Sequence, residues 1–173
     1  MPRAEASREP TLAEAIKLLK DLIKEEIRVC LPGKVEAYDA KTQTASVTPM
    51  LAIPNIDAYG TIFADKIPTL EKIPVLWPRA GDFFITMPLA RGDKVAIFFV
   101  DTQMDDFQFG TGDSVSTPKI LRYHDESDAF IVPGLYPTLT PLLDSALNGS
   151  VLALGVDKKG MQIHIKKESI KIV

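Results

Sequence analysis

Cysteine, histidine, basic excess and long apolar runs are all scarce in this chain, and each shortage removes a class of function. A single cysteine, Cys30, allows no intrachain disulfide and no cysteine-cluster metal site. Cys30 is expected to be a small buried hydrophobe beside the first strand. There are two histidines, His124 and His164, and no serine or cysteine sits in a nucleophile motif. No run approaches the roughly 18 apolar residues of a membrane span. The opening MPRAEASREP has no apolar core and is not a secretory signal. The expectation is a soluble chain made in the cytosol, whose contact with a membrane is mechanical or peripheral. A net charge of -3 argues against phosphate binding by the protein as a whole.

The 173 residues suit one domain with an appendage, and 46% apolar content makes global disorder a poor fit. Thr11 to Val29 reads as the one long helix. Thr11 and Glu14 have capping-box spacing, and Leu12, Ile16, Leu19, Ile23 and Ile27 form one apolar stripe. Lys17, Lys20, Lys24, Asp21, Glu25 and Glu26 fill the other faces. The stripe needs a surface, either on its own domain or on a neighbouring subunit or hub.

From Lys34 the period changes to two. Strands are expected at Val35–Tyr38, Ala45–Ile53, Ile73–Leu76, Phe83–Met87 and Lys94–Val100, with a turn at Asp39–Gln43. Pro54–Thr69 is a longer excursion, and Asp101–Lys119 a polar surface loop. Five strands fit a Greek-key barrel of the OB type, with an SH3-like barrel as rival. Tyr136–Pro141 is an extended connector whose prolines bar helix and central strand. Three short β-like stretches follow, at Val151–Leu154, Met161–Ile165 and Ile170–Val173. They cannot bury an apolar face alone. Either they add strands to the barrel or they stack with copies of themselves.

The segments IPVLWPRAGDFFITMPLARGDKVAIFFV, from Ile73, and RYHDESDAFIVPGLYP, from Arg122, together resemble one family. It is the N-terminal OB-fold domain of central spike proteins from the baseplates of contractile-tailed phages. The likeness covers roughly Leu31 to Pro137. It implies a mainly β chain: an N-terminal extension and helix over 1–31, an OB-like barrel over 32–131, a linker over 132–148, and a stalk over 149–173. It implies a homotrimer whose tails wind into a β-helix or β-prism. Such a spike sits on a baseplate hub in the virion and pierces the host outer membrane when the sheath contracts. A separate tip protein could cap it. The implied role is mechanical and not enzymatic.

By alternation, Val151, Ala153, Met161, Ile163, Ile165, Ile170 and Ile172 are expected to line the stalk. Trp77, Phe83 and Phe98 are expected in the barrel core, with Phe84 and Phe99 in core or interchain packing.

Spikes of the resembled family often end in a His-x-His pair that binds iron on the three-fold axis. Here His164-Ile165-Lys166 departs from that pattern, so the six-imidazole site is missing. A ring of three His164 side chains holding a metal, and an outward solvated histidine, remain the two alternatives. No other cofactor is expected. His124 with Asp125 and Asp128 has the residue types of a metal set or a general base with its orienter, though aspartates there equally cap turns. Tail lysines 158, 159, 166, 167 and 171 serve solubility and edge protection, attraction to anionic lipid, or both.

The rival from another class is a monomeric OB-fold module for single-stranded nucleic acid. It needs exposed aromatics with flanking cations. Lys34, Lys41, Arg79, Arg91 and Lys94 are scattered among acids, so no nucleic-acid partner is expected. A hydrolase using His124 and Asp128 is a more distant third.

Overall fold

The computed structural model describes residues 11–56, 60–140, 152–156, 160–166 and 169–172. The chain divides into two compact units, Met1–Leu135 and Tyr136–Val173.

Helix α1 spans Leu12–Glu26. The Thr11 backbone N–H donates to Glu14 Oε2 at 2.7 Å, and the Glu14 N–H donates to Thr11 Oγ1 at 3.3 Å, so the capping box is complete. The helix stops three residues short of the expected Val29. The next residues are held elsewhere: Arg28 pairs with Glu126, and the Phe99 N–H donates to the Val29 carbonyl at 3.1 Å.

Strands β1 (Cys30–Asp39) and β2 (Thr44–Pro49) form the first hairpin. Asp39 Oδ1 accepts from the Lys41 N–H at 2.8 Å and shapes the turn. Strands β3 (Ile53–Ile56) and β4 (Ile62–Asp65) make a small separate ribbon within the excursion. Then come β5 (Leu70–Pro74), the short hairpin of β6 (Arg79–Ala80) and β7 (Phe83–Phe84), and β8 (Lys94–Phe99). Helix α2 (Asp105–Gln108) interrupts the long loop, and β9 (Ala129–Pro133) ends the first unit's sheet.

The principal sheet runs β5-β2-β1-β8-β9, with each neighbouring pair antiparallel. It curls into a half-barrel. Its two edges meet at one parallel bridge, Val75 to Ile131, where the Leu76 N–H donates to the Ile131 carbonyl at 2.8 Å. The inward positions of the strands alternate, and Val35, Val47, Val95, Ile97 and Ile131 are fully buried. Gly33 lets β1 pass between its neighbours: a Cβ there would lie 2.6 Å from Val47 Cγ1 and 2.7 Å from Ile97 Cδ1.

Two sequence expectations are corrected here. The expected strand Phe83–Met87 is not in the sheet; Ala129–Pro133 takes the fifth place. Phe83 and Phe84 instead pair only with Ala80 and Arg79 across the tight Gly81 turn, and Pro88 follows. Cys30 is exposed, because Leu31, Gly33 and Val35 hold the inward positions of β1 and Cys30 is out of phase with them.

The second unit holds a three-stranded meander of β10 (Leu152–Gly155), β11 (Gln162–Lys166) and β12 (Ser169–Ile172). No helix among the described residues is long and apolar enough to cross a membrane.

Candidate functional site

The face of the tail meander is set by its register. Leu152 lies opposite Ile165, and Leu154 opposite Ile163. Ile163 in turn lies opposite Ile172, and Ile165 opposite Ile170. Directly opposed residues share a face, so six large aliphatic side chains line one side of a three-stranded sheet. Five of them are exposed in the single chain and Ile165 is half-buried. A contiguous exposed apolar face of this kind marks a protein contact or an aggregation liability.

Ile163, Ile165, Ile170 and Ile172 were expected on that face, and the register groups them there. Met161 lies just before β11 and is exposed. Ala153 is corrected: it pairs with His164, on the opposite face. The alternation of β10 is one residue out of phase with the expectation, and a one-residue slip moves every side chain to the other side. Leu152 and Leu154 hold the apolar positions instead. Val151 lies outside the described residues.

His164 is neither outward nor solvated. It is buried, and its Nε2 lies 2.7 Å from Gln162 Oε1. Lys171 faces it across the strand pair. Among the described residues no group of three or more His, Cys, Asp or Glu side chains is placed to hold a metal.

His124, Asp125 and Asp128 are each engaged with a different partner. Asp128 is fully buried and accepts from Arg122 Nε at 2.9 Å, from Arg122 Nη2 at 3.0 Å and from the Met104 N–H at 2.9 Å. Arg122 also reaches Asp105 at 3.0 Å, and Gln103 donates to the same Asp105 oxygen at 2.7 Å. The Gln103 amide oxygen accepts from the Lys119 and Ile120 N–H groups. One buried carboxylate thus knots both ends of the long 101–128 loop to the start of β9. The Gln103 amide, and then Arg122, hold the Asp105 carboxyl below the ordinary carboxylate range. Asp128 raises the pKa of Arg122. Asp125 accepts from the Ser127 hydroxyl and N–H, which lower its pKa. His124 takes a left-handed backbone with φ 50, and its Nε2 is 3.9 Å from Asp101 Oδ1.

Of the expected barrel-core aromatics, Trp77 is 7% exposed and packs in the core. Phe98 lies on the other face of its strand, half-buried, and stacks on Phe130 with centroids 5.4 Å apart. Phe83 is corrected: it is 84% exposed, and Phe84 beside it 67%, because the β6–β7 hairpin stands outside the sheet. The hairpin flanks an open cleft of about 800 Å³ lined by Val75, Leu76, Trp77, Arg79, Asp82 and Phe84 among others. The Trp77 indole Nε1 is buried without an acceptor among the described residues. A donor left in that state costs about 1–3 kcal/mol.

The family model of the phage protein Gp138 N-terminal domain matches residues 31–134. The chain belongs to this family. The matched span runs from the second residue of β1 to the glycine after β9, so it coincides with the half-barrel and its loops. No curated protein matches the chain. The family makes this a phage protein. Helix α1 and the tail meander lie outside the matched domain.

Proposed function

We propose that this chain is the central spike of a phage tail baseplate, a homotrimer that punctures the host outer membrane during sheath contraction. One observation carries the proposal: the apolar face formed by Leu152, Leu154, Ile163, Ile165, Ile170 and Ile172 comes after a phage-family barrel in the same chain. Three such meanders wound round one axis bury that face and pair the free edges of β10 and β12. The strand order β5-β2-β1-β8-β9, closed by a parallel bridge, supports a partly open OB-type barrel as the collar above.

The role is mechanical and not catalytic. A closed β-prism transmits force because its backbone groups are paired between chains and it presents no edge. The barrel collar seats on a baseplate hub, and a separate tip protein is accommodated because the His164 segment lacks the paired histidines of an iron-capped apex. His164 lies on the face opposite the apolar one, so with the apolar face turned to the three-fold axis it points away from that axis and from any metal there. Elemental analysis of purified trimer is expected to find no stoichiometric transition metal.

Immunogold labelling of intact virions with antibody against the barrel tests the location. Label at the distal end of the tail supports the spike. Label confined to the capsid or to tail fibres contradicts it.

A second reading, single-stranded nucleic-acid binding, draws support from the exposure of Phe83 and Phe84. Their expected burial had counted against it. The charge still does: Arg79 on that hairpin is accompanied by Asp82, and the chain is net acidic. An oligonucleotide titration at low salt is expected to show no binding. A nanomolar affinity that falls steeply with salt would establish this reading instead.

A further inference from the structure

A second cleft lies between the end of β1 and its turn, strands β2 and β5, and the end of α2. It holds about 460 Å³, and its walls include Asp39, Glu71, Lys72, Gln108 and Phe109. That volume is ordinary for a small-molecule site. In chain order β1, β2, β5, β8 and β9 are the five strands of the barrel, and the parallel bridge closes the third onto the fifth. The cleft therefore sits on the second and third strands. The loop joining strands one and two borders it on one side, and the loop joining strands four and five on the other. Barrels of the OB type take oligonucleotides or oligosaccharides at this place.

The walls are wrong for a polyanion. Asp39 and Glu71 outnumber Lys72. The Lys41 N–H, and then the Thr42 hydroxyl, hold the Asp39 carboxyl below the ordinary carboxylate range, so it stays charged near neutrality. The same groups suit a neutral polyol. Carboxylates and the Gln108 amide oxygen accept from sugar hydroxyls, and the Lys72 ammonium donates to them. Phe109, 74% exposed just after α2, offers an aromatic surface to the C–H side of a pyranose ring. The wall is also fixed in advance. The β2–β5 register slips at Ser46, so that Glu71 and Lys72 together oppose one residue, the signature of a bulge. Lys72 takes a left-handed backbone with φ 57, and Gln108 Nε2 donates to its carbonyl at 3.1 Å. Ser46 Oγ donates to the Glu71 carboxylate. Groups ordered before the ligand arrives lose little entropy when it binds.

We propose that this cleft binds a neutral oligosaccharide, with one sugar ring on Phe109 and hydroxyls on Asp39, Glu71, Lys72 and Gln108. The inference rests on the OB-type strand order argued above and owes nothing to the homotrimer, so each can fail alone. Saturation-transfer NMR and titration calorimetry of the full chain test it, with hexasaccharides of glucose, galactose, mannose and N-acetylglucosamine as the probes. At least one is expected to bind. Phe109→Ala is expected to weaken that binding about tenfold, as for loss of an aromatic contact. Because Phe109 is exposed, the denaturant midpoint of this variant is expected to be unchanged. Phe107→Ala is the control: Phe107 is also exposed on α2 but lies outside the cleft wall, and its loss is expected to leave the affinity as it was. No transfer to any of these sugars, or binding that Phe109→Ala leaves intact, overturns the inference. A single-stranded oligonucleotide that binds and is weakened by Phe109→Ala would assign the cleft to nucleic acid and overturn it as well.

Discussion

Asp128 is the residue on which the long loop depends. It is fully buried and accepts three hydrogen bonds, two of them from Arg122. Asp128→Ala leaves those donors without their carboxylate and is expected to cost about 3 kcal/mol, read as a lowered denaturant midpoint. An unchanged midpoint would show that the knot contributes nothing. Asp105 and Asp125 titrate below their ordinary range in the fold. A carboxylate with a depressed folded pKa contributes stability that is present above its unfolded pKa and lost as pH falls through the folded one. The loop is therefore expected to loosen in acid, below the ordinary carboxylate range, and to be insensitive to pH near neutrality on their account. Amide exchange of residues 101–128 against pH measures this. The HDESD segment was visible in the sequence as a cluster of charge. What was hidden was the partner, because Gln103, Met104 and Asp105 come from the far end of the loop.

At the scale of the element, the strongest local signals were the capping box and the alternation of β2 and β8, and both correspond to the structure. Thr11→Ala removes the side-chain oxygen that receives the Glu14 N–H, and is expected to cost helix α1 about 1 kcal/mol, seen as reduced helicity by circular dichroism. Gly33→Ala sets a methyl against Val47 and Ile97 and is expected to destabilise the barrel by about 1–3 kcal/mol. Two elements were misread for physical reasons. FFITM carries strand-like residues, yet a Gly81 turn with positive φ folds Phe83–Phe84 back on Arg79–Ala80. AFIVP is a short unbroken apolar run with no alternation to mark a strand; in the fold Ala129 and Ile131 are fully buried on one face, and Phe130 and Val132 are half-buried on the other. Its pairing with β8 comes from residues some thirty positions earlier, which no local window contains.

For the whole molecule, the decisive feature is surface that one copy leaves uncovered. Leu12, Ile16, Leu19 and Ile23 on α1, Ile27 at its end, Phe83 and Phe84 on the hairpin, and the apolar face of the tail are all open. The tail's apolar side was legible from the alternation of β11 and β12. The phase of β10 was not, because Val151, Leu152, Ala153 and Leu154 are all apolar and offer no polar marker. The homotrimer proposed above would cover these faces. Ile163→Asp places a carboxylate at the centre of the tail's apolar face and is expected to leave a folded barrel that no longer associates, since Ile163 lies between Leu154 and Ile172. Light scattering behind a sizing column tests the central claim most directly. A homotrimeric spike gives a mass near three times 19.0 kDa that persists in high salt and mild detergent. A species of 19.0 kDa at every concentration would contradict it and leave the barrel as a solitary module.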